Sequence, residues 1–223
     1  MIKKNILNHA VLSCKNHREL DKKTIKKFIP GYKLMENAGE VIYKIIKQKF
    51  KKQKKIKILC GPGNNGGDGF VVAKLLKENG YKNVDLFCLV TKRELKGDAR
   101  VAADNFNENF KSFTDFQTSN NDVIIDGLFG SGLKKNISGN LKKIIEKINL
   151  KKPYCVSIDI PSGINGDTGE IQGVALKSND TITFTRKKPG HLLSPGSEYC
   201  GNVIVEDIGI NLEKLLFKPQ IFE

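Results

Sequence analysis

Three short glycine-rich segments contain most of the residues that could do chemistry in this chain. Gly61 to Gly69 reads GPGNNGGDG, Asp126 to Leu133 reads DGLFGSGL, and Asp159 to Gly166 reads DIPSGING. Each segment follows an apolar, strand-like run. Glycine turns between a strand and a helix expose backbone N–H groups that suit phosphate, and oxygen-rich side chains bind hard cations or transfer protons. The segments therefore predict a site for a nucleotide-like ligand.

Five polar side chains within these segments form the candidate site: Asn65, Asp68, Asp126, Asp159 and Ser162. Asp126 and Asp159 each end an apolar run, and two carboxylates in a partly desolvated cleft can bind a hard cation with amide and backbone oxygens. Alternatively, one carboxyl has a raised pKa and acts as a general acid or base. Asp68 is interpreted as a cap of the helix that starts near Phe70. Too few carboxylates and no histidine are present for a transition-metal site.

The first segment also spells G-x-G-x-x-G through Gly61, Gly63 and Gly66, the pattern of a dinucleotide-binding turn. A dehydrogenase with this pattern needs an acid at the end of its second strand to bind a ribose hydroxyl. Asp85 has about the required spacing, but it begins the run VDLFCLV instead of ending it. No Walker lysine follows the last glycine. An ordinary NAD-dependent dehydrogenase is therefore disfavoured.

A basic segment follows the fifth predicted strand and reads Lys187-Lys188-Pro189-Gly190-His191. A lysine here can contact a pyrophosphate, and a solvated loop is an equally good interpretation. His191 is interpreted as a loop residue and left outside the site.

The elements that must position these segments alternate between strands and helices. Nearly continuous apolar runs predict strands at 56–60, 83–90, 122–126, 154–160, 180–185 and 202–206. Helices are predicted at 16–29, 34–52, 66–79, 97–111 and 139–149. The alternation predicts an α/β fold with right-handed crossovers and a mostly parallel sheet, in which ligands bind beyond the carboxyl ends of the strands. The three segments should therefore converge, whereas the last two strands lack a helix between them and predict a partly different edge.

Composition narrows the partners and the compartment. The 223 residues carry a formal net charge of +14, which suggests nucleic-acid binding. Arginine, the better residue for bidentate phosphate or base contacts, occurs at only four positions, so we interpret the lysines as solvated helix faces and expect no nucleic acid. No apolar run reaches the roughly 20 residues of a membrane span, and a cytoplasmic protein is expected. The five cysteines lack metal-binding spacing and are expected to be reduced.

With these residues in view, the chain resembles the NAD(P)H-hydrate epimerases, the YjeF N-terminal-domain family. The matching segments occur in the family's order and extend over nearly the whole chain: LMENAG (34–39), GPGNNGGDG (61–69), DGLFGSGL (126–133), SIDIPSGINGDTG (157–169), KPG (188–190) and GNVIVEDIGI (201–210). The resemblance implies a Rossmann-like three-layer α/β/α sandwich in a single domain, 1–223, in which helices within 1–52 pack on a core formed by 53–223. It also implies that a nicotinamide nucleotide is the substrate and not a redox cofactor.

The family interconverts the R and S epimers of NADHX and NADPHX, which are hydrated at C6 of the nicotinamide ring. By motif, the resemblance implies one potassium ion per subunit on Asn65, Asp126 and Ser162. It implies substrate contacts at Asn64, Asn65, Gly66, Gly67, Asp68, Gly130, Ser131, Gly132, Leu133, Lys134, Lys135, Asn136 and Asp159. We expect Asp159 to be the catalytic acid and base, because it ends a central strand within the most specific motif. It would protonate the departing hydroxyl, stabilise the cation and deprotonate incoming water.

The resemblance also bears on partners. Some family members are fused to a dehydratase, whereas this chain ends at Glu223, so the dehydratase is expected to be a separate protein. The LMENAG region is associated with a homodimer in the family, and we expect a homodimer here; the structural alternative is an amphipathic helix packed against the sheet or a partner subunit. The alternative function is a non-catalytic nucleotide- or protein-binding module on the same fold. The retained Asn65, Asp126 and Asp159 disfavour it, because a decayed site would have lost some of them.

Overall fold

The computed structural model describes residues 11–210, and the remainder of the predicted 1–223 domain lies outside these described residues. The strands are β1 (Ile56–Cys60), β2 (Val84–Cys88), β3 (Val123–Gly127), β4 (Tyr154–Ile158), β5 (Asp180–Phe184) and β6 (Asn202–Glu206). The α-helices within 11–210 are α1 (Cys14–Lys27), α2 (Gly31–Lys49), α3 (Asn64–Glu78), α4 (Gly97–Asn105), α5 (Gly139–Lys151) and α6 (Gly196–Cys200). None of the helices in this part of the chain is long and apolar enough to cross a bilayer.

The six strands form one parallel sheet in the order β2-β1-β3-β4-β5-β6. The α/β fold predicted from the alternation of elements is confirmed. The expectation of a different edge is wrong, because β6 continues the parallel ladder beside β5 from Asp180 to Phe184. The connection between them contains only a 3₁₀ turn (Pro189–His191) and the five-residue α6. Helices this short leave no apolar periodicity to detect in a sequence.

Helices cover both faces of the sheet because successive strand residues point to opposite sides. On one face, Ile58 packs with Ile42 of α2, Phe70 of α3 and Ala102 of α4 in a single apolar cluster. On the other face, Leu59 of β1, Phe87 of β2 and Ile124 of β3 form a second apolar cluster with three isoleucines of α5: Ile144, Ile145 and Ile148. This arrangement is the predicted three-layer sandwich. The remaining long helix, α1, packs through Leu20 on α2 and on the segment after β6.

The carboxyl ends of β1, β3 and β4 are adjacent, so the three glycine-rich segments converge as predicted. Strand β2 lies on one side of β1, and β3 lies on its other side, so the direction in which strands are added to the sheet reverses at β1. In open parallel sheets, ligands bind beyond the carboxyl ends of the strands at such a reversal. Contact between the first two segments is so close that a Cβ atom at Gly61 would lie 1.7 Å from the carbonyl oxygen of Leu128. Asp85 lies one residue from the start of β2, beside Lys57, and therefore at the opposite edge from the cleft, as expected.

Candidate functional site

A cleft of about 830 Å³ opens where the three segments meet. This volume falls within the range typical of small-molecule sites, ~300–1,000 Å³. Many residues predicted to bind substrate line the cleft: Asn64, Asn65, Asp68, Gly130, Ser131, Gly132, Leu133, Lys134, Lys135, Asn136 and Asp159. Gly66 and Gly67 do not line it. Their missing side chains let α3 pack closely, since a Cβ at Gly66 would meet the Gly61 carbonyl and one at Gly67 would meet Met35.

Asp159 directly follows β4 and projects its carboxylate into the cleft. Its backbone adopts the left-handed region (φ 68°), and its N–H donates to the carbonyl oxygen of Ile182 at 2.7 Å. The Lys188 ammonium donates to Oδ1 at 2.5 Å, and the backbone N–H of Ser131 donates to Oδ2 at 3.2 Å. The Lys188 side chain is 3% exposed and the Asp159 side chain 17%. The ion pair is therefore largely shielded from water.

The charge state of Asp159 follows from this pairing. Burial by itself would raise the pKa of Asp159, but the Lys188 ammonium more than compensates and lowers that pKa to about 2. Asp159 is therefore a carboxylate at neutral pH. The alternative in which this residue has a raised pKa and donates a proton does not hold.

His191, which the sequence analysis left outside the site, does not line the cleft but supports the backbone of Asp159. Its Nδ1 accepts the backbone N–H of Lys188 at 2.9 Å, so the proton is on Nε2, which donates to the Asp159 carbonyl oxygen at 2.8 Å. Burial, followed by the nearby Lys188 charge, lowers the pKa of His191 to about 4, so the imidazole is neutral. The KPGH run follows β5, the strand beside β4, and this position in the sequence could have indicated that His191 lies near the end of β4.

Asp126 lies beneath the cleft and is fully buried. Its carboxylate accepts four hydrogen bonds, from the Ser162 hydroxyl at 2.6 Å, the Ser162 N–H at 2.8 Å, the Ser157 hydroxyl at 2.9 Å and the Leu128 N–H at 3.2 Å. Burial raises the pKa of Asp126, and these donors oppose the rise. Neither Asp126 nor Ser162 lines the cleft itself. Together they hold the second and third glycine-rich segments to each other.

The oxygens around Asp126 have the chemistry of an alkali-cation site. The Ser162 hydroxyl oxygen lies 2.6 Å from Asp126 Oδ1 and 3.2 Å from the Phe129 carbonyl oxygen. The Asn65 amide is close to Gly130, and its Nδ2 is buried with no hydrogen-bond partner. One carboxylate with neutral amide, hydroxyl and carbonyl oxygens suits a hard monovalent cation. Within 11–210, no three His, Cys, Asp or Glu side chains are grouped so that they could hold a metal ion.

Asp68 does not cap a helix, which corrects the sequence interpretation. Helix α3 begins at Asn64, earlier than the predicted residue 66, so Asp68 is its fifth residue and its side chain makes no capping hydrogen bond. The carboxyl is 8% exposed and lines the cleft. Burial, and then the charges of Asp159 and Asp21, raise the pKa of Asp68 well above its usual value. Asp68 therefore holds its proton to a higher pH than an ordinary aspartate does, whereas the pKa of Asp159 is shifted in the opposite direction.

Helix α1 forms a wall of the cleft, although the sequence assigned the first helices only a packing role. His17 and Asp21, one helical turn apart, and the neighbouring Arg18 line the cleft. Burial lowers the pKa of His17 to about 4 and raises the pKa of Asp21 to about 6. The i, i+4 spacing of two ionisable residues on one helix face was the signal in the sequence.

The chain is similar to several known proteins. An NAD(P)H-hydrate epimerase from Lentilactobacillus buchneri is 39% identical over 203 residues, covering 89% of this chain and 94% of that protein. A bifunctional NAD(P)H-hydrate repair enzyme Nnr from Coxiella burnetii is 38% identical over 197 residues; the match covers 87% of this chain but only 40% of that protein's length. The crystal structure of yeast ynu0 has a TM-score of 0.71 at 26% identity, covering 82% of this chain and 83% of that one.

A family model described as YjeF-related protein N-terminus matches residues 31–190, a range that contains the three glycine-rich segments and Lys188. Because this match extends over most of the chain and relatives more than 30% identical cover nearly all of it, the chain belongs to the YjeF N-terminal-domain family.

Proposed function

We propose that this protein is an isomerase that interconverts the R and S epimers of NADHX and NADPHX. The observation that carries the proposal is the Asp159 carboxylate, held as an anion by the buried Lys188 ammonium inside a cleft of nucleotide-binding size. The relative from Lentilactobacillus buchneri, which matches this chain over nearly its whole length, is named an NAD(P)H-hydrate epimerase. A fixed anion is what the reaction needs, because its intermediate is a cation.

The reaction passes through loss and return of the hydroxyl group at C6 of the nicotinamide ring. The lone pair of the ring nitrogen forms a double bond to C6 as the C6–O bond breaks, and the protonated hydroxyl leaves as water. The resulting iminium-like ion carries a positive charge that the Asp159 carboxylate stabilises. Water then adds to the other face of C6, and Asp159 accepts its proton. The ring nitrogen regains its electron pair, so no redox cofactor is consumed.

The polar loops around Asp159 fit the rest of such a substrate. Glycine-rich backbone at the start of α3 offers N–H groups for a pyrophosphate. The exposed Lys134 and Lys135 extend the positive charge along the cleft rim. We assign the substrate contacts to Asn64, Asn65, Asp68 and Asp159 and to 130–136, which line the cleft, and give Gly66 and Gly67 the role of letting α3 pack closely beside them. Whether NADHX or NADPHX binds better is a matter for direct competition between the two.

A potassium ion on Asn65, Asp126 and Ser162, one per subunit, is part of the proposal, supported by the clustered oxygens of Asp126, Ser162 and the Phe129 carbonyl and by Asn65 Oδ1 near Gly130. When bound, the ion supplies a positive charge that neutralises the buried Asp126 carboxylate. The residues themselves keep the second and third segments in register beside the substrate. Asn65, at the start of α3, links this position to the first segment.

The partners and compartment follow from the same resemblance. We propose a homodimer, a dehydratase acting on the same substrate pool, and a cytoplasmic location. The LMENAG motif also serves the chain itself, because Leu34, Met35 and Ala38 are buried in its own core. Light scattering of the purified protein measures whether the particle is a dimer; a monomer at micromolar concentration contradicts this part of the proposal.

The test mixes purified protein with one NADHX epimer and follows the other by chromatography. Wild-type protein that fails to interconvert the epimers, with or without potassium, refutes the function. Asp159→Asn should slow interconversion at least about 100-fold, as expected when a charge that stabilises the transition state is removed. The variant Asp115→Asn, in an exposed 3₁₀ turn away from the cleft, is the matched control and should retain full activity.

Asp159→Asn also leaves the Lys188 ammonium buried without its counter-ion, so loss of activity could reflect loss of folding. The double variant Asp159→Asn/Lys188→Met removes both charges and restores electrical balance. We expect the double variant to melt at a higher temperature than Asp159→Asn and to remain inactive. Interconversion at more than a tenth of the wild-type rate in a folded double variant contradicts the role of Asp159.

A further inference from the structure

Several carboxyls line the cleft, and one of them, that of Asp68, has no hydrogen-bonding partner within the described residues. It is 8% exposed, it lines the same cleft as Asp159, and no hydrogen bond or ion pair within 11–210 engages its oxygens. By contrast, Asp159 receives the Lys188 ammonium and the Ser131 N–H. Buried polar groups are normally hydrogen-bonded, so an unpartnered carboxyl facing a cleft is suited to a ligand.

The groups around Asp68 favour its protonated form. Asp21 faces it from α1, and Asp159 faces it from the end of β4, so an ionised Asp68 would add a negative charge beside two other carboxyls. The Lys188 charge is committed to Asp159 at 2.5 Å. His17 and His191 are neutral near pH 7, and beneath α3 the neighbouring group is the buried Cys60 thiol. Burial and the neighbouring negative charges thus both raise the pKa of Asp68.

The epimerisation needs a proton that Asp159 does not have. A hydroxyl group leaves C6 readily as water and poorly as hydroxide. At pH 7 a carboxyl whose pKa is lowered to about 2 is almost always ionised. Two carboxyls whose environments separate their protonation states can divide the acid and base roles.

We propose that Asp68 is the general acid of the epimerisation and that Asp159 is its anionic counterpart, an assignment that rests on the proposed function. The Asp68 proton passes to the C6 hydroxyl, the C6–O bond breaks, and water leaves while the nitrogen lone pair forms the C6=N bond. Water adds to the opposite face, the C6=N electron pair returns to nitrogen, and the released proton passes to Asp159. It then returns through cleft water to Asp68, the more basic carboxylate. Proton and electron counts balance over the cycle. The reverse epimerisation retraces the same steps: the proton passes through cleft water to Asp159, which donates it to the departing hydroxyl, and Asp68 accepts the proton of the incoming water.

The test compares wild type, Asp68→Asn and the exposed control Asp115→Asn with a single NADHX epimer. Asparagine replaces a neutral carboxyl with a neutral amide of the same size, so binding should persist. We expect kcat to fall about 10²–10⁴-fold in Asp68→Asn while KM changes less than about threefold. An inactive wild type refutes the proposed function and this inference together. An active wild type with Asp68→Asn retaining more than a tenth of its kcat overturns this inference alone.

A readout independent of activity keeps the proposal testable if Asp68→Asn is poorly folded. The infrared difference spectrum between wild type and Asp68→Ser at pH 7 should contain the C=O band of a protonated carboxyl, and the band should shift when aspartate is labelled with ¹³C. Absence of that band means that Asp68 is ionised in the resting protein and overturns the assignment.

Discussion

Replacing Lys188 by methionine isolates the energetic role of the ion pair with Asp159. Methionine keeps an unbranched side chain of similar length but removes the ammonium that lies 2.5 Å from Asp159 Oδ1. The gross Coulomb attraction at this separation is about 7 kcal/mol at an effective dielectric of ~20, and desolvation of both groups offsets much of it. Removing one partner of a buried pair costs ~3–5 kcal/mol. Because the Asp159 side chain is 17% exposed, we expect Lys188→Met to lose about 3 kcal/mol of unfolding free energy at pH 7.5, the lower end of this range.

The stability lost in Lys188→Met should become smaller as pH falls. In the wild type, the pKa of Asp159 is about 2 and lies below its ordinary value of 3.8, so the pair stabilises the fold above pH 3.8 and this contribution disappears as pH falls toward 2. In Lys188→Met, burial acts without the ammonium and raises the pKa of Asp159. The variant therefore neutralises its buried carboxylate at a higher pH. The stability gap between wild type and variant should narrow from pH 7.5 to pH 4.5.

Urea denaturation at the two pH values measures both effects. Lys33→Met is the control, because the Lys33–Glu36 pair is exposed and surface pairs contribute about 0–1 kcal/mol. A Lys188→Met protein within about 0.5 kcal/mol of wild type at pH 7.5 refutes the reasoning, because a buried pair of this geometry would then contribute no more than a surface pair. A gap that is equal at both pH values refutes the assigned cause.

Two further predictions concern His191 and the cation site. The pKa of His191 is about 4 in the fold and 6.5 when exposed, so its stabilising contribution is present above pH 6.5 and is lost as pH falls toward 4. The wild type should therefore lose free energy of unfolding between pH 7 and pH 4.5, and in His191→Gln this loss should be smaller by about 2 kcal/mol. Urea denaturation at the two pH values measures the loss, and an equal loss in the two proteins contradicts the prediction. If Asn65, Asp126 and Ser162 hold potassium, KCl should raise the melting temperature above that in tetramethylammonium chloride of equal ionic strength, and Ser162→Ala should abolish the difference. Equal melting temperatures for wild type in the two salts contradict the site.

Much of the fold was predictable because its signals are local. The core of β1 was predicted over its observed range, 56–60, from a nearly continuous apolar run that is interrupted by Lys57 and followed by Gly61. The convergence of the three segments followed from the parallel sheet alone. Errors occurred where local signals are weak. Helix α3 begins two residues before the predicted 66, inside the glycine-rich loop. The crossover between β5 and β6 was not predicted, because α6 has only five residues.

The sequence by itself determined which polar residues lie at one edge of the sheet, because a glycine turn after each buried strand is a property of neighbouring residues. Only the tertiary structure decided their charges. Lys188 is 29 residues from Asp159 in the chain and reaches it because β5 lies beside β4. The pKa of Asp68 is raised by burial, and also because the end of β4 and α1 place Asp159 and Asp21 near it. A pKa depends on burial and on charges brought close by folding, and no short stretch of sequence contains either quantity.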